Sequence, residues 1–579
     1  MPTFQELRRA QKNIPSDLPC KHIALLGDTA TQMLTTALRG TGVLAGMNFD
    51  IWEADYNAVE HLVSDAQSEL YTRGFDAVIL FQSTNRLLQK HARTDSEQER
   101  CAIAEDRLAL ISNICRQPQL SGTPILVFNY PETDDSVFGN FSNSIQSSFV
   151  AQIRLLNAGL CRLAEQQKNL YVVDLCSLQN KYGRDRLFTP SVYASTEMVF
   201  SLEALPLVAQ RTADVLLALS GRMRKCLITD LDNTLWGGVI GDDGMENIQI
   251  GHFGIGRVFT ELQLWMKKLR ERGIILCVVS KNDEQTARES FEKHPDMVLR
   301  MKDFAVFIAN WENKADNIRQ IQSILNIGFD QMVFLDDNPF EREMVSRHIP
   351  DITVPNLPED PALYLEYLYS LNLFETVSVS RADSERTRQY QEESARRATM
   401  TSYVDENAYL QSLGMQAKVE GFTPFNIPRA AQLTQRSNQF NLRTQRYTET
   451  DVERMAKSDQ VIPLCVNLSD RFGSYGLISV IVLKKTAPGE VFIDTWLMSC
   501  RVLKRGVETF VMNRIIQAAR AAEATRIVGE YIPTSKNGMV SSLLPQMGFA
   551  LSETTADGTL RYVLNVDNYK EGTCFIEEV

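Results

Sequence analysis

Short apolar runs recur along the chain, each closed by a glycine or a polar turn and followed by a longer amphipathic stretch. Residues 22–30 (HIALLGDTA), 75–81 (FDAVILF), 123–129 (TPILVFN) and 170–174 (LYVVD) have the length and branched content of buried strands. Helical patterning fills 97–118, 144–167 and 203–219. Strands alternating with helices predict a parallel α/β sheet that ends near residue 220. A second set follows at 225–229 (KCLIT), 274–279 (IILCVV) and 332–335 (MVFL), again spaced by helical stretches. Around 376–400 the pattern turns polar and charged and reads as a solvated helical linker. A third set has strands at 416–422, 476–484, 490–498 and 525–531, with helices near 427–437 and 507–523. The expected divisions are therefore 1–220, 221–375, a linker over 376–410, and 411–579.

Composition narrows the setting. The chain has 579 residues, enough for three or four domains, and no apolar run long enough to span a bilayer. The opening MPTFQELRRAQKNIPSD lacks the apolar segment of a secretory signal. Ten cysteines without a paired metal-type spacing argue against a disulfide scaffold or zinc ribbon, so a cytoplasmic setting is expected. A net charge of −12 disfavours nucleic acid as a partner. No histidine follows His348, so proton chemistry beyond that point must do without imidazole.

The strongest chemistry lies in the second set. Its strands end in Asp230-Leu231-Asp232-Asn233-Thr234, in Ser280-Lys281-Asn282-Asp283, and in Asp336-Asp337-Asn338. In an open parallel sheet ligands bind at the carboxyl ends of the strands, so these termini are expected to share one crevice. Gathered carboxylates repel and are costly to bury unpaired. A hard divalent cation such as Mg²⁺ offsets that cost, and Lys314, between the last two strands, would neutralise a phosphate. Carboxylate, metal, lysine and hydroxyl are the parts of phosphoryl transfer through an aspartyl-phosphate. An isolated Asp-x-Asp is usually a turn; three polar strand ends in this order are not.

The strings LITDLDNTLWGG, VVSKND, ENKADN and VFLDDNPFER resemble the four motifs of the haloacid dehalogenase superfamily of phosphatases and phosphotransferases. The resemblance implies Asp230 as nucleophile, Asp232 as general acid/base, and Ser280, Lys281 and Lys314 around the phosphoryl group. It also implies an Mg²⁺ site from Asp230, Asp232 through its carbonyl, Asp336 and Asp337. Only 47 residues separate Asp232 from Ser280 and 21 separate Lys314 from Asp336, which leaves no room for a cap domain. The crevice is expected to be open to a substrate carried on a protein or a long arm.

LDNTLWGGVIGDDG narrows the resemblance to the cap-less FkbH-like family. It implies removal of phosphate from a three-carbon donor such as 1,3-bisphosphoglycerate and loading of the glyceryl unit, as a thioester, onto an acyl carrier protein. SCRVLKRGVE followed by a helix, and NGMVSSLLPQMGF, are similar to the GNAT acyltransferase fold, with Gly506 in the turn and Arg501, Lys504 and Arg505 as a basic cluster for a pantetheine arm. Cys500, beside that cluster, is a candidate acyl-carrying thiol. Asn438, Gln439, Phe440, Asn441 and Asp470-Arg471-Phe472-Gly473 also resemble the family and read as loop and cap positions. GDTAT at 27–31 resembles SGNH-type esterases, but Thr29 replaces the serine and no histidine occurs from 92 to 251, so that domain is expected to be non-catalytic. The expected fold class is α/β in three domains: SGNH-like of flavodoxin type, HAD-like Rossmannoid without a large cap, and GNAT-like α+β. The competing readings are a stand-alone phosphatase of a small molecule or phosphoprotein, and a carrier-docking scaffold with vestigial activity.

Overall fold

The computed structural model describes residues 1–56, 58–379 and 405–579, so most of the expected linker lies outside the described residues. The chain divides into two compact units, Met1–Leu219 with Thr448–Asp451, and Ser220–Tyr447 with Val452–Val579.

In the first unit, β1 (Cys20–Gly27), β2 (Asn48–Glu53), β3 (Ala77–Phe81), β4 (Ile125–Phe128) and β5 (Leu170–Val173) form a parallel sheet in the order β2-β1-β3-β4-β5. Strand β2 had no expectation in the sequence. It lies at the edge and buries only Phe49 and Ile51 fully, so its pattern lacks the continuous apolar run of its neighbours. The strand order reverses beside β1, and the residues after β1 and β3, Asp28 and Ser83, meet there.

The second unit holds two sheets. In the first, β6 (Cys226–Thr229), β7 (Ile275–Ser280), β8 (Phe304–Ala309) and β9 (Met332–Leu335) run parallel in the order β8-β7-β6-β9. Alternate residues of these strands enter two cores. Leu227, Leu276, Val278 and Val333 join one; Ile228, Cys277, Val279 and Phe334 join the other. This two-sided burial explains why the strands read as unbroken apolar runs. Strand β8 has no expectation in the sequence, since the charged stretch Arg300-Met301-Lys302-Asp303 runs directly into it.

The remaining strands are β10 (Met415–Glu420), β11 (Val461–Asp470), β12 (Gly473–Ala487), β13 (Glu490–Met498), β14 (Arg526–Tyr531), β15 (Ala550–Thr554), β16 (Leu560–Asn565) and β17 (Ile576–Glu578). They form a mixed sheet in the order β15-β16-β14-β13-β12-β11-β10-β17, in which β13 and β14 are parallel. That parallel pair is short, from Glu490–Arg526 to Ile493–Gly529, after which the strands part. The gap is filled by the chain itself. Leu442 N–H donates to Trp496 O (3.3 Å), Met498 N–H to Phe440 O (3.1 Å) and Ile532 N–H to Leu442 O (3.0 Å). The Asn-Gln-Phe-Asn segment is thus a wedge between two strands, satisfying backbone groups the splay would orphan.

Asp470 ends β11 and takes the backbone N–H groups of Phe472 and Gly473 and the Tyr475 hydroxyl, closing the β11–β12 turn. Among the described residues, no helix is long and apolar enough to cross a membrane.

Candidate phosphatase centre

Three of the four motif strings contain the residue that caps the next helix. Asp283 accepts from Thr286 N–H ahead of helix Glu284–Lys293, Asn313 from Ala315 N–H ahead of Lys314–Leu325, and Asn338 from Phe340 N–H ahead of Pro339–His348. Capping at the carboxyl edge of the sheet pins the connecting loops where the strands end. Lys314 thereby becomes the first residue of its helix, at the edge where β6 and β9 deliver Asp230 and Asp336.

Lys314, Asp230 and Asp336 form a buried triad. Lys314 Nζ lies 2.9 Å from Asp230 Oδ2 and 2.6 Å from Asp336 Oδ2. Asp336 is fully buried, and its other oxygen accepts from Asn338 N–H at 2.9 Å. Asp337 exchanges hydrogen bonds with Thr234: Thr234 Oγ1 donates to Asp337 Oδ1, and Asp337 N–H donates to Thr234 Oγ1, both at 3.1 Å. Arg342 donates to the backbone carbonyls of Asp336 and Asp337, holding that turn from below.

Asp232 stands apart from the lysine. Its Oδ1 accepts from the Trp236 indole (2.9 Å) and Ile240 N–H (3.0 Å), and its Oδ2 accepts from Asn282 Nδ2 (2.8 Å). Three donors fix one carboxyl orientation. Trp236 has no role assigned from the sequence and Asn282 only a place among the polar strand ends, although both lie inside the motif strings. Ser280 is buried at the end of β7, and Lys281 is turned onto Glu341 (2.7 Å).

The electrostatics show a site short of positive charge. Burial, then repulsion from Asp230, pushes Asp336 up to about 7 despite Lys314. Burial also raises Asp232 and Asp337 above the ordinary aspartate range, with the Asp230 charge adding to both. Burial pulls Lys314 down, but the charges of Asp230 and Asp336 outweigh it and the net shift is upward. One atom is conspicuous: Asp230 Oδ1 is buried with no hydrogen-bond partner among the described residues. Oxygens of Asp230, Asp336 and Asp337 lie within 4.8 Å of one another. An orphaned carboxylate oxygen in an all-oxygen cluster fits a hard divalent cation, which would be held by Asp230, Asp336 and Asp337.

The basic cluster of the last sheet is arranged differently from a cradle open to solvent. Arg501 is buried and donates to Ser499 Oγ (3.2 Å) and Tyr475 O (3.1 Å). Arg505 is buried against the Tyr475 ring and hydroxyl, 4.0 Å from Asp470. Lys504 is exposed, and Gly506 adopts φ +74° before helix Val507–Ala521. Cys500, half-buried, packs against the phosphatase core and lines a cleft of about 90 Å³ with Asn326, Asn438, Gln439 and Phe440.

The first unit has its own crevice. Asp28 follows β1 and takes Ser83 N–H on both oxygens (2.9 and 3.0 Å). Arg86 donates to Asp28 O and pairs with Glu197 at 2.6 Å. Thr29 is buried and its hydroxyl has no partner among the described residues. Glu197 occupies the stretch in which an SGNH histidine would fall.

An open parallel sheet, carboxylates at two adjacent strand ends and a lysine at the start of the helix between β8 and β9 define a phosphatase domain of the haloacid dehalogenase type. The comparisons agree. The N-terminal part of the protein BF1531 from Bacteroides fragilis, whose crystal structure contains a phosphatase domain complexed with Mg, is 52% identical; the match covers 65% of this chain and 100% of that one, with a TM-score of 0.63. The profile of the FkbH N-terminal domain matches residues 22–217. The chain belongs to the FkbH-like family. Slighter likenesses link it to the ribosomal-protein-S18-alanine N-acetyltransferase of Escherichia coli (12% identity, 27% of this chain and 99% of that chain, TM-score 0.21). Another is to the spermidine N-acetyltransferase of Vibrio cholerae (11%, 27% and 98%, 0.23). Both are too slight to bear on function. No curated protein matches the chain.

Proposed function

We propose that this chain is an Mg²⁺-dependent phosphatase and acyltransferase that removes phosphate from a phosphorylated three-carbon donor, such as 1,3-bisphosphoglycerate, and loads the glyceryl unit onto an acyl carrier protein. The observation that carries the phosphatase half is the Asp230–Lys314–Asp336 triad with its orphaned Asp230 oxygen. In this reading Asp230 attacks phosphorus and Asp232, held by Trp236, Ile240 and Asn282, protonates the departing alkoxide. Asp232 then takes a proton from the water that cleaves the aspartyl-phosphate. Lys314 and Ser280 bind the phosphoryl oxygens. The bound Mg²⁺ supplies positive charge to the same oxygens and relieves the repulsion among Asp230, Asp336 and Asp337. Support for Mg²⁺ comes from the donor set and from the Mg in the Bacteroides fragilis structure.

The transfer half rests on Cys500 and its cleft. Its thiolate would attack the acyl carbon of an acyl phosphate, expelling phosphate, and the carrier thiol would then take the acyl group by thioester exchange. Lys504 remains placed for a carrier arm, whereas Arg501 and Arg505 act by shaping the turn. The first unit serves as a non-catalytic domain. The packing of Cys500 against the phosphatase core favours a second reading, in which the thiol is structural and the chain is a phosphatase alone. Incubation with 1,3-bisphosphoglycerate and phosphopantetheinylated carrier protein, read by intact-protein mass, decides between them. A glyceryl mass on the carrier that disappears with Cys500→Ala supports the first; phosphate release without carrier loading supports the second.

A further inference from the structure

A further group of ligand atoms lies at the amino edge of the first sheet. Strand β1 opens with Cys20 and His22, two residues apart and so on one face of the sheet. Strand β2 runs parallel to it in a register that sets Asn48 beside Cys20 and Asp50 beside His22. Cys20, His22 and Asp50 are all exposed, and on this face of β1 the core begins only at Ala24. The eight residues of β1, about 26 Å at the strand rise, separate this edge from Asp28 at the other end.

The side chains converge. His22 Nδ1 lies 2.9 Å from Asp50 Oδ2, and Asn48 Nδ2 donates to Cys20 Sγ at 3.5 Å. One ligand atom from each of Cys20, His22 and Asp50 falls within 4.8 Å of the others. Thiolate, imidazole and carboxylate around a tetrahedral zinc-class ion stand about 3.3–3.6 Å apart, given metal–ligand distances of roughly 2.0–2.3 Å. Side-chain rotation at the surface is enough to close that difference. Sulfur and imidazole nitrogen are also the donors that prefer such an ion to Mg²⁺.

The charge around the thiol has the matching sign. Burial, then the charges of Asp50 and Asp76, raise the Cys20 thiol above its ordinary range. A negative field that holds the proton on a lone sulfur also draws a dication, which displaces that proton. Asn48 keeps its N–H on the sulfur, the place an outer partner takes around a bound thiolate.

We propose that Cys20, His22 and Asp50 form a binding site for a zinc-class divalent cation, with water as the fourth ligand, that ties the edge strand β2 to β1. The site goes beyond the phosphatase and acyltransferase reading and does not depend on it. On binding, the Cys20 S–H bond is replaced by a metal–sulfur bond and the proton passes to solvent. His22 binds through the nitrogen that faces Asp50 and carries its proton on the other, so their hydrogen bond gives way to two metal bonds.

Cobalt(II), titrated into the metal-stripped full chain with Mg²⁺ in excess to fill the phosphatase centre, tests the site. Binding gives a thiolate-to-cobalt charge-transfer band that Zn²⁺ abolishes by displacement. Cys20→Ser removes the band, and His22→Ala and Asp50→Asn each weaken binding at least about tenfold. Absence of the band, its survival in Cys20→Ser, or an affinity unchanged in His22→Ala or Asp50→Asn overturns the site. A second readout needs no variant: Zn²⁺ should protect Cys20 from iodoacetamide, measured by peptide mass, and equal labelling with and without Zn²⁺ also overturns it.

Discussion

Two parallel sheets in this chain place an aspartate directly after a central strand, and the two aspartates face different fates. Asp28 follows β1 and receives a backbone N–H from Ser83, with the nearby arginine Arg86 tied to Glu197. Asp230 follows β6 and receives a lysine ammonium shared with a second carboxylate. Asp28 sits in a closed arrangement: its oxygens are both taken by the same N–H, and the neighbouring Thr29 is buried. Asp230 keeps one oxygen without a partner among the described residues. The position at the end of a strand is a property of the topology. What makes a centre is the surplus of ligand atoms gathered around it, and among the described residues no such surplus surrounds Asp28.

The comparison breaks most easily at the nucleophile. Asp230→Asn removes the attacking carboxylate, so phosphate release should fall by about 10⁴-fold or more, with the fold kept. Asp28→Asn should leave phosphate release within about twofold. Both are read by phosphate release from a simple monoester in the presence of Mg²⁺, alongside circular dichroism of each variant. A comparable loss from Asp28→Asn would mean the first unit takes part in the chemistry.

Much of this contrast is legible in the sequence, for physical reasons. The central strands are buried on both faces, so they stand out as apolar runs, and the polar groups at their ends have no structural excuse for gathering there. Asp230, Lys314 and Asp336 could therefore be placed together before any coordinates, as could the absence of room for a cap. The edge strand β2, half-buried and interrupted by acids, and β8, hidden behind a charged stretch, gave no such signal. Nor did the direction of the arginines: Arg501 and Arg505 read as part of a basic cluster for a pantetheine arm, and tertiary packing turns them onto Tyr475 and Asp470 instead. The wedge from Asn438 to Leu442 is likewise a long-range feature, since it joins strands that lie more than 50 residues further along. The packing of Cys500 against the phosphatase core is also invisible in one dimension, because residues 326 and 500 meet only in the fold.

The second prediction sharpens the contrast through stability. Burial pushes Asp28 up to about 6, against which Ser83 and the nearby arginines act only partly. A raised carboxyl pKa means that the folded state binds the proton more tightly than the unfolded state. The ionised carboxyl therefore costs stability above the folded value, and the cost shrinks as pH falls toward the unfolded value near 4. A shift of roughly two units corresponds to about 3 kcal/mol as an upper bound. Asp28→Asn, which retains an oxygen for Ser83 N–H, should raise the midpoint of urea unfolding of the full chain at pH 8 and do so less at pH 5. A gain that is the same at both pH values would show that the folded-state pKa of Asp28 is not raised above its unfolded value, and a loss would show that its charge is used.

The smallest effect concerns Asp232, which differs from Asp28 in the number of its donors. Trp236 and Ile240 N–H hold one oxygen and Asn282 holds the other. Trp236 is fully buried in the core, so its removal would confound orientation with packing. Asn282 touches the carboxyl from β7's end and is the cleaner probe. Asn282→Ala leaves the Oδ1 contacts in place and frees Oδ2 to rotate, a loss of about 1.5 kcal/mol for one hydrogen bond to a charged group, or roughly tenfold in rate. If Asp232 acts as acid and base, that loss falls on kcat while KM for a monoester stays within about twofold, because orientation of a proton donor matters in the transition state and little in the bound substrate. Asn282→Asp should be worse, since a second carboxylate beside Asp232 repels it. A rise in KM with kcat intact would instead make Asn282 a substrate contact and leave the orientation of Asp232 to Trp236 and Ile240 alone.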